Sequence, residues 1–276
     1  MTAHRQRAAA TYALLVILSL LVVFPLVWTA LTSLKTSRDL LSIPPTYLPS
    51  PPTLVHYRET LQDGSFSAYF RNSLVISLSS TALSLVIGAP AAYGFARFRY
   101  RLSGMFFGAI VATRMFPSVT LIIPYFLFMR SANLIDTPLA LIITYLTIEL
   151  PLVIWVLEGF FRELPDSVAE AGQIDGLGAF GVFWRIGLPL SLPAISVAAA
   201  LGFISAWNEF LFALALTRTS YSQTVPVGLA GAITSEGFKF GPMTAGATLY
   251  VLPVIAFTFL AQRGLKRGLA AGATVG

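Results

Sequence analysis

The chain has 276 residues, of which 56% are hydrophobic and only 11% are charged, and its net charge is +6. Soluble domains carry about a quarter charged residues, so we interpret lipid as the solvent for most of this chain. The chain has no cysteine, which excludes disulfides, thiolate metal sites and a cysteine nucleophile. Its two histidines, His4 and His56, lie in polar stretches, so we expect no metal site. The positive charge indicates basic cytoplasmic loops rather than nucleic-acid binding.

Six stretches are long and apolar enough to cross a bilayer core of roughly 30 Å, which takes about 20 helical residues. The first is too long for a cleavable signal peptide and lacks its cleavage pattern, so we interpret it as a retained anchor. The sequence therefore predicts an all-α polytopic membrane protein with six transmembrane helices, at residues 12–34, 73–96, 104–129, 138–161, 190–214 and 243–261.

A long polar connection, residues 35–72, separates the first two predicted spans. It contains the run IPPTYLPSPPT, whose five prolines favour extended structure over helix. The residues that follow, 54–72, predict a short interfacial helix that leads into the second span. Surface coverage is the simplest role for such a connection.

Basic residues in short loops indicate the orientation of a membrane protein. The segments HRQR near the start, RFRYR at 97–101 and QRGLKRG near the end fall on one side if there are six spans. We therefore predict that both termini, and the segment 162–189 between the fourth and fifth spans, are cytoplasmic.

The chain lacks the residues of common catalytic sites. It has no G-x-x-x-x-G-K-[ST] sequence, so it cannot hold ATP by that loop, and it has no H-E-x-x-H. Both histidines lie outside the predicted spans, so we do not expect a Ser-His-Asp catalytic set inside the membrane. We expect no catalytic residues.

The stretch PDSVAEAGQIDGLGAFGVFWRIGLPLSLP, residues 165–193, is too polar and too rich in glycine to span a bilayer. Ser167-x-x-Glu170 forms a capping-box pattern, which predicts a short helix through about Ile174. Gly176 then breaks that helix, and a second short helix, AFGVFWRIG, leads to the fifth span. The pattern predicts two short helices bent at Gly176.

Small residues on one face of the first short helix, Ala169, Ala171 and Gly172, would let another protein approach closely, with Glu170 and Asp175 at the rim. The alternative is an amphipathic helix lying on the membrane surface. Two features favour a protein partner: the first half has few large apolar residues, and residues 165–184 contain no lysine or arginine for anionic headgroups.

The spacing of these residues resembles a known pattern. Glu170-Ala171-Gly172, then three residues, Gly176, nine residues and Ile186-x-Leu188-Pro189 is similar to the pattern E-A-A-x3-G-x9-I-x-L-P of the EAA loop in permeases of ABC importers. Gly172 is the only departure, and it lowers helix propensity by about 1 kcal/mol relative to alanine. Further stretches, including FRNSLVIS, PAAYGFAR and WNEFLFAL, resemble the maltose-type, carbohydrate-uptake branch, and together the likeness covers residues 70–276.

The resemblance implies a MetI-like core and a non-catalytic subunit in the cytoplasmic membrane of a bacterium or archaeon. Two permease subunits, usually different chains, would form the path, and an ABC ATPase dimer that binds ATP and Mg²⁺ would dock on the EAA loops. An extracytoplasmic solute-binding protein would deliver a sugar, and this chain would hold no cofactor. The implied division is 1–72, 73–261 with the EAA loop at 165–189, and 262–276.

The resemblance assigns ATPase coupling to a set of EAA-loop residues and a further ATPase contact to the tail. The tail could instead be a basic end that serves only topology. The coupling residues are Glu170, Ala171, Gly172, Asp175, Gly176, Ile186, Leu188 and Pro189, and the tail residues are Gln262, Arg263 and Lys266.

Four charged residues lie inside the predicted spans: Arg114, Glu149, Glu158 and Glu209. A charge at the bilayer centre costs roughly 2.5–3.5 kcal/mol, so each should face protein or water. One interpretation pairs Arg114 with Glu149 or Glu209, because buried charges are normally partnered. The other places Trp207, Asn208 and Glu209 on the translocation path in contact with a sugar.

Two alternatives remain at this point. A self-sufficient channel or secondary transporter often has internal repeats of spans, and we find none in this sequence. The same importer architecture could instead carry another solute, such as a polyol, a glycerol phosphate or an amino acid.

Overall fold

The computed structural model describes residues 2–62, 64–98, 100–231, 233–234 and 237–272, with side chains outside 2–10, 233–238 and 263–272. Helices dominate this part of the chain, as predicted, and two short antiparallel strands pair Ile233 with Phe238. The helices are α1 Thr2–Ser33, α2 Ser37–Leu40, α3 Val55–Gln62, α4 Ser65–Arg97, α5 Ser103–Ala112, α6 Ser118–Ser131, α7 Pro138–Glu163, α8 Asp166–Ile174, α9 Ala179–Val182, α10 Leu188–Leu190, α11 Leu192–Trp207, α12 Leu211–Leu216, α13 Val225–Ala230 and α14 Phe240–Gly272; the strands are β1 Ile233–Thr234 and β2 Gly237–Phe238.

Four helical segments are individually long and apolar enough to cross a membrane: Thr11–Ser33, Ser65–Arg97, Pro138–Glu163 and Phe240–Gln262. Two bent helix pairs raise the number to six if each pair is one span. This agrees with the six predicted spans. The short helix predicted ahead of the second span is α3, and α4 begins earlier than expected, at Ser65.

The third predicted span is not one continuous helix. A 3₁₀ turn at Thr113–Met115 follows α5, and the chain bends by 99° before α6. Pro117 explains the break, because a proline drives the residue before it out of the helical region. Phe116 accordingly has an extended conformation, with φ −72° and ψ 129°.

The fifth predicted span, 190–214, is also divided. The segment Ala179–Leu190 meets α11 at 76°, and α11 ends at Trp207 rather than near residue 214. A separate helix, α12, resumes at Leu211. Asn208 and Glu209 lie at the second break, but the flanking residues are apolar enough for mean hydropathy to join the pieces into one predicted span.

One compact unit combines residues 1–67 with 229–252. Within it, buried Lys35 donates a hydrogen bond to the Thr46 carbonyl at 2.7 Å, and its ammonium lies 4.5 Å from the centroid of the Trp28 ring. These contacts fasten the end of α1 to the proline-rich connection. Thr60 of α3 donates to the Pro242 carbonyl at 3.2 Å, which ties α3 to the start of α14.

The other compact unit combines residues 68–228 with 253–276 and holds two clusters of buried apolar side chains. In one cluster α4, α6, α7, α11, α12 and α13 meet around Tyr145 and Phe212. In the other, α4, α7 and α11 meet around Tyr93, Phe161 and Phe183. Gly88 lets α4 lie close to α7, since a β-carbon at Gly88 would lie 2.7 Å from Val153 Cγ1.

The turn between α6 and α7 is fastened to the segment after α12 by Asp136. This carboxylate accepts hydrogen bonds from the Arg218 and Thr219 amides, at 2.8 and 3.0 Å, and from the hydroxyls of Thr219 and Ser222. Partial burial would raise the pKa of Asp136, but these four donors outweigh it and lower the pKa to about 2. Asp136 lies outside the helices that could cross the membrane.

Asp136→Ala should loosen the segment 217–223 because four donors lose their acceptor. We expect local opening to become easier by about 1 kcal/mol, allowing for solvent screening, which is roughly fivefold in open population. The measurement is the rate of tryptic cleavage after Arg218, which follows that population when reclosing is fast. Glu163→Ala, which removes an exposed carboxylate of α7, is the control and should leave the rate unchanged.

The same carboxylate predicts a pH dependence. Its folded pKa lies below the unfolded value of 3.8, so its contribution is complete above that pH and is lost as the pH falls through about 2. Hydrogen exchange at the Arg218 and Thr219 amides, corrected for intrinsic rates, should therefore be independent of pH between about 5 and 8. A loss of protection within that range would contradict this account.

Candidate coupling site and intramembrane polar residues

The first short helix of the EAA loop (residues 165–189), α8, begins at Asp166, two residues earlier than a capping box with Ser167 as N-cap predicted. Pro165 is its N-cap, with φ −59° and ψ 139°, and no side chain caps the helix start. The predicted exchange between Ser167 and Glu170 is therefore wrong. Asp166 occupies the first turn instead, where a carboxylate is stabilised by the helix dipole.

The bend at Gly176 is as predicted, and its hydrogen bonds explain it. The Leu177 amide donates to the Gly172 carbonyl and the Gly176 amide to the Gln173 carbonyl, both at 3.0 Å. This is the Schellman arrangement that ends many helices, and it needs a left-handed residue. Gly176 has φ +80°, which side chains with a β-carbon rarely adopt.

The position of Gly172 on the small-residue face predicted that it faces a partner, but this prediction is wrong. It is buried inside the EAA loop, where a β-carbon would lie 2.6 Å from Ile186 Cδ1 and 3.2 Å from Val182 Cγ2. The close approach that the small residue permits is therefore between the two arms of the loop. Ile186, seven residues after the second arm begins at Ala179, is the residue that packs against the first arm at this bend.

The second arm is α9 followed by a π-helical turn at Phe183–Gly187. That turn packs onto the membrane helices, with the Phe183 ring 5.2 Å from Tyr93 of α4 and 6.2 Å from Phe161 of α7. Gly187 is buried against the Tyr93 ring. Leu188 packs on the same cluster, while Pro189 is exposed at the start of α10.

The outer surface of the EAA loop combines carboxylates with apolar side chains. Glu170, Ala171 and Asp175 are exposed, as their assigned role requires. Three large apolar side chains beside them were not singled out from the sequence. Ile174 is 86%, Phe180 72% and Trp184 52% exposed, and the Phe180 and Trp184 rings lie 6.0 Å apart. Phe180 and Trp184 are four residues apart in a helical segment, a spacing that places them on one face.

A basic residue at the end of α4 holds the junction between α7 and α8. Arg97 Nη1 donates to Asp166 Oδ1 at 2.5 Å, and Nη2 donates to the Leu164 carbonyl at 2.6 Å. From the sequence, Arg97 was only one of the positive charges in the loop RFRYR that indicate orientation. Its contacts join residues 67 to 69 positions apart, which no local pattern indicates.

The predicted ion pair between Arg114 and an intramembrane carboxylate is wrong. Arg114 lies in the 3₁₀ turn at the break of the third span, is exposed and donates to the Ile148 carbonyl at 2.9 Å. Glu149 is buried and accepts hydrogen bonds from Ser80 and Ser84 of α4, at 2.9 and 3.2 Å. Hydroxyl donors, rather than a direct ion pair, therefore satisfy the hydrogen bonding of this carboxylate.

Glu209 binds backbone groups too. Its carboxylate accepts from the Phe212 and Ala213 amides, at 2.9 and 3.1 Å, and so caps the start of α12. Trp207 is buried, with the Phe203 ring 5.3 Å away, which fits packing and leaves no open face for a sugar. Asn208 is exposed, and its amide donates to the Ile204 carbonyl.

Glu158 and the tail are the remaining residues that the sequence singled out. Glu158, also buried, pairs with Arg162 one turn later in α7. In the tail, α14 continues to Gly272 and Gln262 is exposed, whereas the side chains of Arg263 and Lys266 lie outside the described side chains. The tail contact and the division at 1–72, 73–261 and 262–276 stay predictions.

Residues 84–270 match the model of the family described as the binding-protein-dependent transport system inner membrane component. The chain belongs to this family. A trehalose transport system permease of Mycobacterium tuberculosis is 37% identical over 254 residues, covering 91% of this chain and 92% of that protein. A sulfoquinovosyl glycerol transport system permease of Agrobacterium fabrum is 34% identical over 253 residues, covering 92% and 89%. The chain is thus an ABC transporter permease, a multi-pass protein of the inner membrane, and the permease class itself is not catalytic.

Solved structures agree on the fold. A chain of a bacterial ABC transporter involved in import of the acidic polysaccharide alginate matches with a TM-score of 0.80 at 22% identity, covering 95% of this permease and 98% of that chain. A chain of the MetNI methionine ABC transporter matches with a TM-score of 0.59 at 18% identity, covering 71% and 93%. The predicted MetI-like, helical architecture is confirmed.

The contact of Gly172 with Ile186 predicts opposite outcomes for two substitutions. Gly172→Ala should be tolerated, because only the flexible end of Ile186 and, slightly, Val182 must move, and alanine favours helix by about 1 kcal/mol. Gly172→Leu should destabilise the EAA loop by about 1–3 kcal/mol through overpacking. Thermal unfolding of the solubilised protein and proteolysis within residues 165–189 measure both effects.

Gln173→Leu is the matched control, because Gln173 is the exposed neighbour of Gly172 on the same helix. It adds a similar side chain without entering the elbow, so unfolding should change little. If Gly172→Leu were as stable as Gln173→Leu, the packing of the two arms around Gly172 would be refuted.

Proposed function

We propose that this permease imports a carbohydrate and takes its energy from a partner ABC ATPase dimer that docks on the EAA loop. The observation that carries the docking proposal is the outer surface of α8 and the second arm. There a rigid bend presents exposed Glu170, Asp175 and Ile174 beside Phe180 and Trp184. Exposed aromatic and aliphatic anchors ringed by charge are typical of protein interfaces.

The charge on this surface argues against lipid as its partner. Asp166, Glu170 and Asp175 are all exposed, while Arg185 is the only basic side chain between Pro165 and Pro189. Anionic headgroups attract lysine and arginine and repel carboxylates. An amphipathic surface helix needs the opposite charge pattern, so a protein partner accounts better for the same apolar residues.

Orientation and assembly follow from the same proposal. With the EAA loop beside an ATPase, both termini are cytoplasmic, and the segment fastened by Asp136 faces the exterior. A second permease, a different chain as is usual for the resembled branch, completes the path, and a solute-binding protein delivers the solute. ATP and Mg²⁺ belong to the ATPase, whose binding loop this sequence lacks.

A carbohydrate is the solute class that the relatives favour. Proteins named for transport of trehalose, diacetylchitobiose and sulfoquinovosyl glycerol match over 91–98% of this chain. The likeness to a methionine transporter shows that the fold also occurs with other solutes. A polyol or a glycerol phosphate therefore remains the second candidate.

Asn208 is the path residue that we retain from the sequence interpretation, and the structure leads us to add Arg114. Arg114 is exposed in the middle of a span, and a cation in lipid is costly, so its guanidinium faces water, substrate or a partner subunit. Among the described residues, the Arg114 guanidinium donates one hydrogen bond, to the Ile148 carbonyl. The remaining N–H groups suit the hydroxyl, ring or acidic oxygens of a carbohydrate.

Docking predicts that Glu170→Lys and Ile174→Asp reduce co-purification of the ATPase at least about tenfold, as expected when an interface anchor is lost. Insertion and folding of the permease should not change, because both side chains are exposed. Pull-down of the ATPase from solubilised membranes, with permease amount measured separately, gives the result.

Glu163→Lys is the control, since it makes the same charge change at an exposed site just outside the loop. It should retain the ATPase. Normal assembly of both Glu170→Lys and Ile174→Asp would refute docking on this surface.

The substrate class is tested on the solute-binding protein encoded beside this chain. Calorimetry with trehalose, diacetylchitobiose, maltose, glycerol 3-phosphate and amino acids should show binding to one of the sugars. For that sugar, Arg114→Gln should raise the KM of uptake in proteoliposomes without loss of the partner subunits. Binding of glycerol 3-phosphate alone would favour the second candidate, and binding of an amino acid alone would refute a carbohydrate as the solute. Loss of assembly in Arg114→Gln would place Arg114 at a subunit contact.

A further inference from the structure

Arg97 lies at a mechanical junction that the proposed docking does not by itself explain. It is the last residue of α4, and only 12% of its side chain is exposed. One guanidinium nitrogen binds the carboxylate of Asp166, the first residue of α8, at 2.5 Å. The other binds the carbonyl of Leu164, the residue that ends α7, at 2.6 Å.

These two contacts lie on either side of Pro165. The guanidinium therefore bridges the turn between α7 and α8 and fixes both of its ends to a third helix. A planar fork with donors in fixed directions holds such a geometry better than a flexible ammonium. Apolar contacts also join α4 to α7 and to the EAA loop, because Tyr93 of α4 packs against Phe161 of α7 and Phe183 of the second arm.

The charge pair itself adds little stability. Asp166 is 88% exposed, and exposed ion pairs are weak because water screens them. The bond from a mostly buried guanidinium to a backbone carbonyl is more directional and harder for water to replace. The effect of this arrangement is therefore on the direction in which α8 can move, more than on whether the protein folds.

We propose that Arg97 is a positioning residue that transmits displacement of α8 to α4, so that α4 and α7 move together when the ATPase pulls on the EAA loop. Without it, α8 is joined covalently to α7 on one side and, through the second arm, to α11 on the other. The Arg97 contact adds α4, the helix that also binds Glu149 of α7 through Ser80 and Ser84. This inference rests on the proposed docking of an ATPase on the EAA loop.

The test uses the full complex with its ATPase and solute-binding protein, reconstituted in proteoliposomes. Arg97→Gln should still assemble and hydrolyse ATP, but stimulation of hydrolysis by the solute-binding protein should fall about tenfold, within the range of coupling between sites. Asp166→Asn should show a smaller fall, because the bond to the Leu164 carbonyl remains. Arg97→Lys should lie between wild type and Arg97→Gln, since an ammonium keeps the charge without the fork.

A spin-label pair gives a readout that a merely structural role would not move. The chain has no cysteine, so Gly94→Cys on α4 and Gln173→Cys on α8 introduce the only thiols in this subunit. A β-carbon at Gly94 meets nothing within 4 Å. We expect one narrow distance distribution, unchanged between the nucleotide-free and vanadate-trapped states, and a shift on trapping when Arg97→Gln is added.

Arg101→Gln is the matched control, because it removes an exposed positive charge from the same loop without touching α8 in the described structure. It should leave both stimulation and distances unchanged. If Arg97→Gln behaved like Arg101→Gln, or if Arg97→Gln failed to fold while Asp166→Asn coupled normally with unchanged distances, the positioning role would be overturned. Failure of the wild-type chain to retain any ATPase would instead refute the proposed docking.

Discussion

The close approach of Gly172 to Ile186 is the contact on which the form of the EAA loop depends. A helix of nine residues, such as α8, is marginal by itself in water, because helix nucleation is costly and few hydrogen bonds follow it. Its order must come from tertiary contacts. The elbow supplies them on one side through Gly172, the Schellman bonds close the bend at Gly176, and Arg97 fixes the other end. The loop is therefore a braced element rather than a flexible connection.

Inside the membrane a different constraint decides the structure, since lipid offers no hydrogen bonds. Each buried polar group must find a partner within the protein. Glu149 finds two serines of α4, and Glu209 finds two free amides at the start of α12. The break after Trp207 leaves those amides without helical acceptors, so the carboxylate and the break satisfy one another. This explains why an acidic residue can lie within an otherwise apolar stretch without a direct ion pair among the described residues.

Much of the architecture follows from the sequence because hydropathy and loop charge act over whole segments. Six spans, counting each bent pair as one, the short helix at Val55–Gln62 and the bend at Gly176 were all predicted, the last because glycine commonly ends a helix. The 76° bend before α11 and the end of α11 at Trp207 were not, since hydropathy joined the flanking apolar pieces into one span. The ion pair predicted for Arg114 was wrong, because opposite charge alone suggested it. In the structure Arg114 donates to a backbone carbonyl, and the carboxylate of Glu149 accepts from two serines. Arg97 was missed because its contacts depend on how α4 lies beside the α7–α8 junction, which no local pattern encodes.

Under the proposed docking, the two faces of the EAA loop have different tasks, which fall to different residues of one motif. Gly172, Gly176, Ile186 and Leu188 face inwards or shape the backbone, whereas Glu170, Ala171 and Asp175 face outwards. If the whole motif is interpreted as a docking surface, the residues that face inwards or shape the backbone are given the wrong role. A docking surface can transmit force only as far as its supports resist displacement, and packed interiors resist it well because they are dense. The aromatic cluster of Tyr93, Phe161 and Phe183 packs the base of the second arm onto α4 and α7. Under the proposed docking, this packing transmits a displacement of α8 to both helices rather than letting the loop absorb it.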